Sequence, residues 1–314
     1  MQSKAIIGIC KNAGKTTVLN YHLANYEGIY ALTSIGLDGE SRDQVFNNEK
    51  PKIFVKKGTV IATGINSLKK SDVTYEVLNI TNIMTPLGYI ALVEALSAGY
   101  IELSGTSHVT HLEYIYNWIK NNTRCSVLYI DGALSRKQFS SIDFIDTVDI
   151  VIGASFINNM SKTLDEAMLW KEIYSIEKCE IDNIEENVVI DDKQIHTNFL
   201  DIDFLKSELN KETENIYLNC IVTSEVFNYI LMQSKNREIR LVIENPNKLF
   251  INLDDFKKLK NSKLDLYVRN PIKISQIFIN PIGYGYKYDK IEFKKGVENI
   301  FNCEIINVGE VKWK

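Results

Sequence analysis

Short apolar runs alternate with helically spaced segments through the first half of the chain. Residues 5–10 are an apolar run ending in a Lys/Asn/Ala/Gly turn, which predicts a buried strand of a parallel sheet. Residues 16–26 place Val18, Leu19, Leu23 and Ala24 at helical spacing. A second short strand is expected over 29–33, and the polar, glycine-bearing string Ser34-Ile35-Gly36-Leu37-Asp38-Gly39-Glu40 reads as a loop. Strands at 52–55 and 59–63 flank Lys56, Lys57 and Gly58 and predict a hairpin. A helix is expected over 68–78, then strands over 89–95 and 100–103 around Ser97-Ala98-Gly99. Residues 106–121 return to helical spacing, with Val109, Leu112, Ile115, Trp118 and Ile119 on one side. Strands at 126–130 and 149–152 bracket a helix-like stretch at 139–145. Strand, loop, helix, strand is the βαβ pattern of an open α/β sheet.

The second half is less regular at its start. Residues 160–215 begin helical and become acidic and poorly patterned, so a loose boundary divides the chain into 1–160 and 161–314. Beyond it, strands at 216–222, 239–243, 264–268 and 274–279 alternate with helices at 225–234, 254–261 and about 296–301. This part also reads as α/β, either as a separate domain or as an extension of the first sheet. A length of 314 residues accommodates both arrangements, since single cores seldom grow past about 250–300 residues.

Bulk properties narrow the function classes. A net charge of -4 gives no electrostatic case for a nucleic-acid partner, which would want a basic face, and no local basic patch is obvious in the sequence. The five cysteines, Cys10, Cys125, Cys179, Cys220 and Cys303, are scattered and never form a CxxC pair. That spacing points to reduced thiols in a cytoplasmic protein, not to a disulfide framework or a zinc ribbon. No stretch approaches the roughly 18 apolar residues of a membrane span, and the apolar run at the N-terminus is too short for a signal sequence.

The most specific chemistry lies between the first strand and the first helix, in Lys11-Asn12-Ala13-Gly14-Lys15-Thr16-Thr17. A polyphosphate needs backbone N–H groups turned inward and a helix N-terminus pointing its dipole at the anion. Gly14 allows close approach, Lys15 can reach the β- and γ-phosphates, and the Thr16 hydroxyl can bind Mg²⁺. The motif is a variant: the first glycine of G-x-x-x-x-G-K-[ST] would fall at Ile9, and the sequence places Gly8 one residue earlier. Asp131, at the end of the apolar strand Ser126-Val127-Leu128-Tyr129-Ile130, is the expected partner carboxylate for the metal; the competing role is a cap on the following turn. In the loop after the second strand, Asp38 or Glu40 can orient a water or hold the metal, as a switch segment would. Asp38-Gly39 is equally a plain turn signal. No Asn-Lys-x-Asp string for guanine recognition is present, which favours ATP over GTP. His108 and His111, at i and i+3, can face one metal, but with no Cys or carboxylate cluster joining them ordinary polar helix residues are the favoured reading; His22 and His196 are isolated in sequence. The string Pro281-Ile282-Gly283-Tyr284-Gly285-Tyr286-Lys287-Tyr288 can stack a base or contact a partner, but a turn whose tyrosines cover the core edge is the favoured reading.

Two family resemblances add to this. The Lys-Asn-small-Gly-Lys-Thr-Thr core at 11–17 resembles the phosphate loop of the molybdopterin-guanine dinucleotide biosynthesis B protein, and that likeness ends with the loop. A longer likeness, over roughly the first half of the chain, is to the reactivase ATPase subunit of lysine 5,6-aminomutase, an adenosylcobalamin enzyme. It comprises Gly14-Lys15-Thr16-Thr17 with Leu19-Asn20-Tyr21, the string from Leu32 through Glu40, Lys57-Gly58-Thr59 with Ala62-Thr63, and Thr85-Pro86-Leu87-Gly88. Asp131-Gly132-Ala133-Leu134-Ser135-Arg136 and Gly153-Ala154 complete it, while Leu37 stands where a basic residue is expected in the family. The resemblance implies a P-loop ATPase that opens an inactivated aminomutase, releases its damaged cobalamin and works with a second subunit similar to the MutS ATPases. Its expected site comprises Lys11, Asn12, Ala13, Gly14, Lys15, Thr16 and Thr17 for MgATP, Thr16 and Asp131 for Mg²⁺, and Lys15 with Asp38 for catalysis. The residues alone also admit a P-loop kinase or ligase acting on a small metabolite, or a nucleotide-binding scaffold that hardly turns over.

Overall fold

The fold is built around β1 (Gln2–Gly8), which lies inside a nine-stranded sheet in the computed structural model; residues 1–35, 52–106, 108–133 and 144–310 are described. Across that sheet the order is β18 (Ile306–Asn307), β17 (Lys273–Asn280), β9 (Thr147–Gly153), β1, β8 (Val127–Ala133), β2 (Tyr30–Ser34), β4 (Val60–Gly64), β6 (Gly88–Ala95) and β5 (Tyr75–Thr85). The pairs from β18 to β4 are parallel, and the β6–β5 hairpin closes the edge antiparallel. The architecture is therefore mixed α/β, with a large parallel and antiparallel sheet flanked by helices.

Burial on both faces explains why the central strands read as continuous apolar runs. On one face Ala5 and Ile7 of β1 join Leu112, Ile115 and Ile119 of α3 (Val109–Asn122), Trp170 of α4 (Met160–Tyr174) and Phe293 of α8 (Lys290–Phe301). On the other, Ile6 meets Val18, Leu19 and Leu23 of α1 (Lys15–Asn25). Each of these fully buried aliphatic side chains contributes roughly 1.5–3 kcal/mol. A short helix, α2 (Ile65–Leu68), follows β4.

A second sheet has the order β11 (Lys193–Ile195), β10 (Val188–Ile190), β12 (Asn215–Leu218), β14 (Ile239–Ile243), β16 (Leu264–Val268). Its core takes side chains from α5 (Ile202–Glu208) and α6 (Ser224–Gln233), with Phe256 of α7 (Leu253–Lys257) packed against it. Helix α4 serves both cores: Ala167 and Trp170 pack on the first sheet, Leu169 and Ile173 on the second. Among the described residues no helix is long and apolar enough to cross a membrane.

Four expectations change. The turn at Gly58 is present, with φ +87°, but the strands it joins do not pair with each other. β3 (Ile53–Val55) pairs with β7 (Gly99–Ile101), whereas β4, buried at every position, enters the large sheet beside β2. Residues 68–78 are not one helix: only Leu68 is helical, and β5 starts at Tyr75. The β-branched and aromatic residues Val73, Thr74, Tyr75 and Val77 suit a pleated edge better than a helix, and two register shifts in β5 break its alternation and hide the strand period. Residues 273–310, which patterning grouped with the second half, return to the first sheet as β17, α8 and β18. Finally, the string from 216 to 222 is two short strands, β12 and β13 (Val222–Thr223), and β13 pairs with β15 (Leu249–Phe250). The helix-like stretch at 139–145 lies almost wholly outside the described residues.

Candidate functional site

The carboxyl ends of β1, β8, β2, β9 and β17 meet at one edge of the large sheet, where ligands of open α/β folds bind. Here the chain leaves β1 at Gly8 and re-enters regular structure at Lys15, the first residue of α1. Two positive φ angles make the intervening turn: +58° at Asn12 and +109° at Gly14, the residue that caps the helix. Gly14, at the N-cap, has no side chain to cap α1, and a helix N-terminus of this kind presents N–H groups and the positive end of the helix dipole.

Close packing shapes the loop from below. Gly8 lies against it: a Cβ there would stand 3.2 Å from the Ala13 Cβ and 3.4 Å from the Lys15 Cδ. The glycine that is out of register with the common phosphate-loop pattern thus still makes room for this loop. Gly153, at the end of β9, is tighter still, since a Cβ there would fall 2.8 Å from the Ala13 Cα. Ala13 is fully buried between them. Cys10 points its Sγ toward the Gly153 carbonyl at 3.7 Å.

Lys15 is buried, and its Nζ turns back to donate to the Cys10 carbonyl at 3.4 Å, inside the curl of the loop. Thr16 directs its Oγ1 to the Asp131 Oδ2 at 3.5 Å. Asp131 is itself buried and sits where β8 slips against β1: Ala5 pairs with Ile130 and Ile7 with Ala133, so two residues of β8 span one of β1. Such a bulge re-aims a side chain, here toward the helix start. On its other side Asp131 is opposite Ser34 of β2, and the Ile35 N–H donates to the Asp131 carbonyl at 2.9 Å. The structure therefore brings Lys15, Thr16 and Asp131 together from positions 115 residues apart. Lys11 and Asn12 are exposed on the outer lip, and Thr17 is half-buried in the first helical turn. Asp38 and Glu40, with the rest of 36–51, lie outside the described residues, as does Leu134-Ser135-Arg136.

Comparison with known protein families, curated proteins and solved structures finds no match to this chain. An inward-turned lysine, a helix N-terminus and a loop with two left-handed residues form an anion cradle. The Thr16 hydroxyl and the Asp131 carboxylate offer two hard oxygen ligands on one side of it, a set that suits Mg²⁺, which takes one or two protein oxygens and completes its shell with phosphate and water. Among the described residues no group of three His, Cys, Asp or Glu side chains clusters as a metal cage.

Several contacts escaped the linear reading. His22 is not isolated: its Nε2 stands 2.5 Å from the Asp149 Oδ2, its ring stacks on Tyr129 at 5.6 Å, and Lys4 Nζ lies 3.7 Å from the same fully buried carboxylate. That contact ties α1 to β9 two turns below the loop. His111 shares its Nδ1 with Thr106 at 3.2 Å, and His108 precedes α3. In the 281–288 loop Tyr288 is buried and Tyr286 half-buried, as a core-covering turn requires. Tyr284 instead reaches the 8–17 loop and accepts from Asn12 Nδ2 at 2.7 Å.

Burial pushes the Cys10 thiol up to about 11, and the Lys15 ammonium beside it only partly offsets this. A thiol that stays protonated reacts slowly. Iodoacetamide at pH 8 is therefore expected to label Cys10 on the order of tenfold more slowly than an unperturbed cysteine. Peptide-resolved mass spectrometry measures this, and labelling as fast as free cysteine would show the loop to be open.

Proposed function

We propose that this chain is a cytoplasmic P-loop ATPase that binds MgATP at the 8–17 loop and reactivates an adenosylcobalamin-dependent aminomutase of the lysine 5,6-aminomutase type. The observation that supports it best is the convergence of Lys15, Thr16 and Asp131 around a loop that leaves a central parallel strand and opens a helix. In this reading Lys15 holds the β- and γ-phosphates, and the N–H groups from Ala13 to Thr17 hold their oxygens. Thr16 and Asp131 would hold Mg²⁺, which neutralises the charge that develops on the transferred phosphoryl group. Asp38 remains the proposed group for orienting the attacking water.

The reactivase assignment rests on the shared strings, several of which lie at strand ends and turns. Leu32, Thr33 and Ser34 end β2 beside Asp131, Gly153 underlies Ala13, and Thr85-Pro86-Leu87-Gly88 turns the β5–β6 hairpin with Gly88 at φ +90°. A mutase partner and a MutS-like second subunit belong to the same proposal. Energetically, ATP must bind one conformation of this chain better than another, because only that difference can drive a partner open.

The test is a turnover assay with the purified chain, its second subunit and a mutase inactivated by catalysis. Phosphate release is expected to rise when the inactivated mutase is added, and mutase activity is expected to return on adding fresh adenosylcobalamin. Turnover indifferent to the mutase, together with phosphorylation of a small molecule, would overturn the reactivase reading in favour of a kinase or ligase.

A further inference from the structure

The 280–286 segment reaches the loop from the far end of the chain. Its strand, β17, is parallel to β1 with only β9 between them, so both deliver their carboxyl ends to the same edge about 10 Å apart. Asn280, the last residue of β17, lies opposite Gly153, and a Cβ on Gly14 would stand 3.7 Å from the Asn280 Nδ2. The turn that follows is firmly held. Gly283 N–H donates to the Tyr286 carbonyl at 2.9 Å and Tyr288 N–H to the Pro281 carbonyl at 2.9 Å. Tyr286 OH donates to the Ala154 carbonyl at 2.6 Å, and Ser155 Oγ lies 3.4 Å from both the Asn12 and the Ile282 carbonyls. Yet two side chains of this anchored turn stay largely exposed: Ile282 is 61% exposed and Tyr284 37%, with Phe156 at 39% beside Ser155.

Direction matters as much as proximity. β1 has β8 on one side and β9 followed by β17 on the other. Asp131, on β8, marks the metal side of the loop, so a triphosphate whose γ end faces Thr16 and Asp131 points its nucleoside end toward β9 and β17. There it meets an exposed phenol ring, an exposed isoleucine and an asparagine amide beside Gly14. A flat heteroaromatic base has an apolar face and a hydrogen-bonding edge, which are the two features this surface can pair with.

We infer that Asn280 and Tyr284 form the nucleobase subsite of the nucleotide site, Tyr284 stacking on the base and Asn280 hydrogen-bonding its edge. This rests on the P-loop reading and deepens it: the MgATP proposed there is held at both ends, not by its polyphosphate alone. Tyr284 is joined to Asn12 at 2.7 Å, so the base platform and the phosphate loop are linked across 272 residues of sequence.

Calorimetric titration of MgATP and of magnesium tripolyphosphate into the whole chain separates the two claims. Tyr284→Ala is expected to weaken MgATP about tenfold or more while leaving tripolyphosphate unchanged, since stacking on an aromatic ring is lost only with a base present. Tyr284→Phe, which keeps the ring and loses the bond to Asn12, is expected to stay within a few-fold of wild type for both ligands. Retained tripolyphosphate binding also reports that the alanine variant is folded with its loop intact. Equal weakening of both ligands by Tyr284→Ala would overturn the inference, because Tyr284 would then act by positioning Asn12; no change in either would overturn it too. Lys15→Ala in the same assay tests the underlying reading: if it binds both ligands as well as wild type, the P-loop assignment fails and the subsite falls with it.

Discussion

Lys15→Ala is expected to abolish nucleotide binding while leaving the fold at least as stable as before. The Lys15 ammonium is buried inside the loop, 3.4 Å from the Cys10 carbonyl, where charge-assisted bonds to phosphate are strong. Truncating one partner of a desolvated, hydrogen-bonded charge pair costs about 2–5 kcal/mol, which is a loss of affinity of roughly thirtyfold to several thousandfold. Stability moves the other way. Lys15 opens α1, and a cation in the first helical turn opposes the macrodipole by about 0.3–1 kcal/mol. The alanine variant should therefore keep or slightly raise its melting temperature. Such a split between function and stability marks a residue placed for a ligand. Calorimetry with MgATP beside a thermal melt measures both; unchanged affinity would refute the site, and a collapsed melt would make Lys15 a structural residue.

The second large effect is expected from Asp131→Asn, which keeps the side-chain volume and removes the anion. Thr16 Oγ1 lies 3.5 Å from the Asp131 carboxylate, and in the proposed reading the two would share one Mg²⁺. Wild-type protein is expected to bind ATP more tightly in Mg²⁺ than in a chelator, and the asparagine variant is expected to lose that difference. Phosphate release should fall by about a hundredfold or more, the scale on which electrostatic groups at the reacting phosphoryl act. If Asp131 only caps the turn after β8, the variant will melt earlier and yet keep its Mg²⁺ dependence. The two substitutions are distinguishable: loss of Lys15 removes binding in both conditions, loss of Asp131 only the metal-dependent part.

Much of this arrangement is visible in the linear chain, and the reason is local. A parallel strand buried on both faces is mostly apolar, so β1, β2, β8 and β9 show themselves as short apolar runs, with Thr33 and Asp149 as buried polar exceptions. A helix buried on one face keeps the spacing of Val18, Leu19 and Leu23, and the turn into α1 needs a glycine where φ is +109°. Lys15, Thr16 and Asp131 could be singled out because each stands at the end of such an element, where the backbone itself dictates direction. The nearly fully buried strand β14 and its neighbour β16 match their predicted bounds of 239–243 and 264–268 for the same reason.

Partners are another matter, because strand pairing and side-chain meeting are not encoded within any short window. Alternation says which face of β3 is buried but not that it will leave β4 for β7, and the shifts in β5 erase the alternation that would have named it a strand. The return of β17 to the side of β9 places Asn280 beside Gly14, and nothing in residues 273–286 alone points there. The contact between His22 and Asp149 likewise joins a helix to a strand 127 positions away in the numbering of Met1 to Lys314. By itself, then, the sequence determined the strand–loop–helix unit and the chemical character of its loop, because local sterics and burial period suffice for those. Only the tertiary structure decided that Asp131 faces Thr16 and that the Tyr284 turn stands over Asn12, since those meetings depend on the order in which distant strands pair.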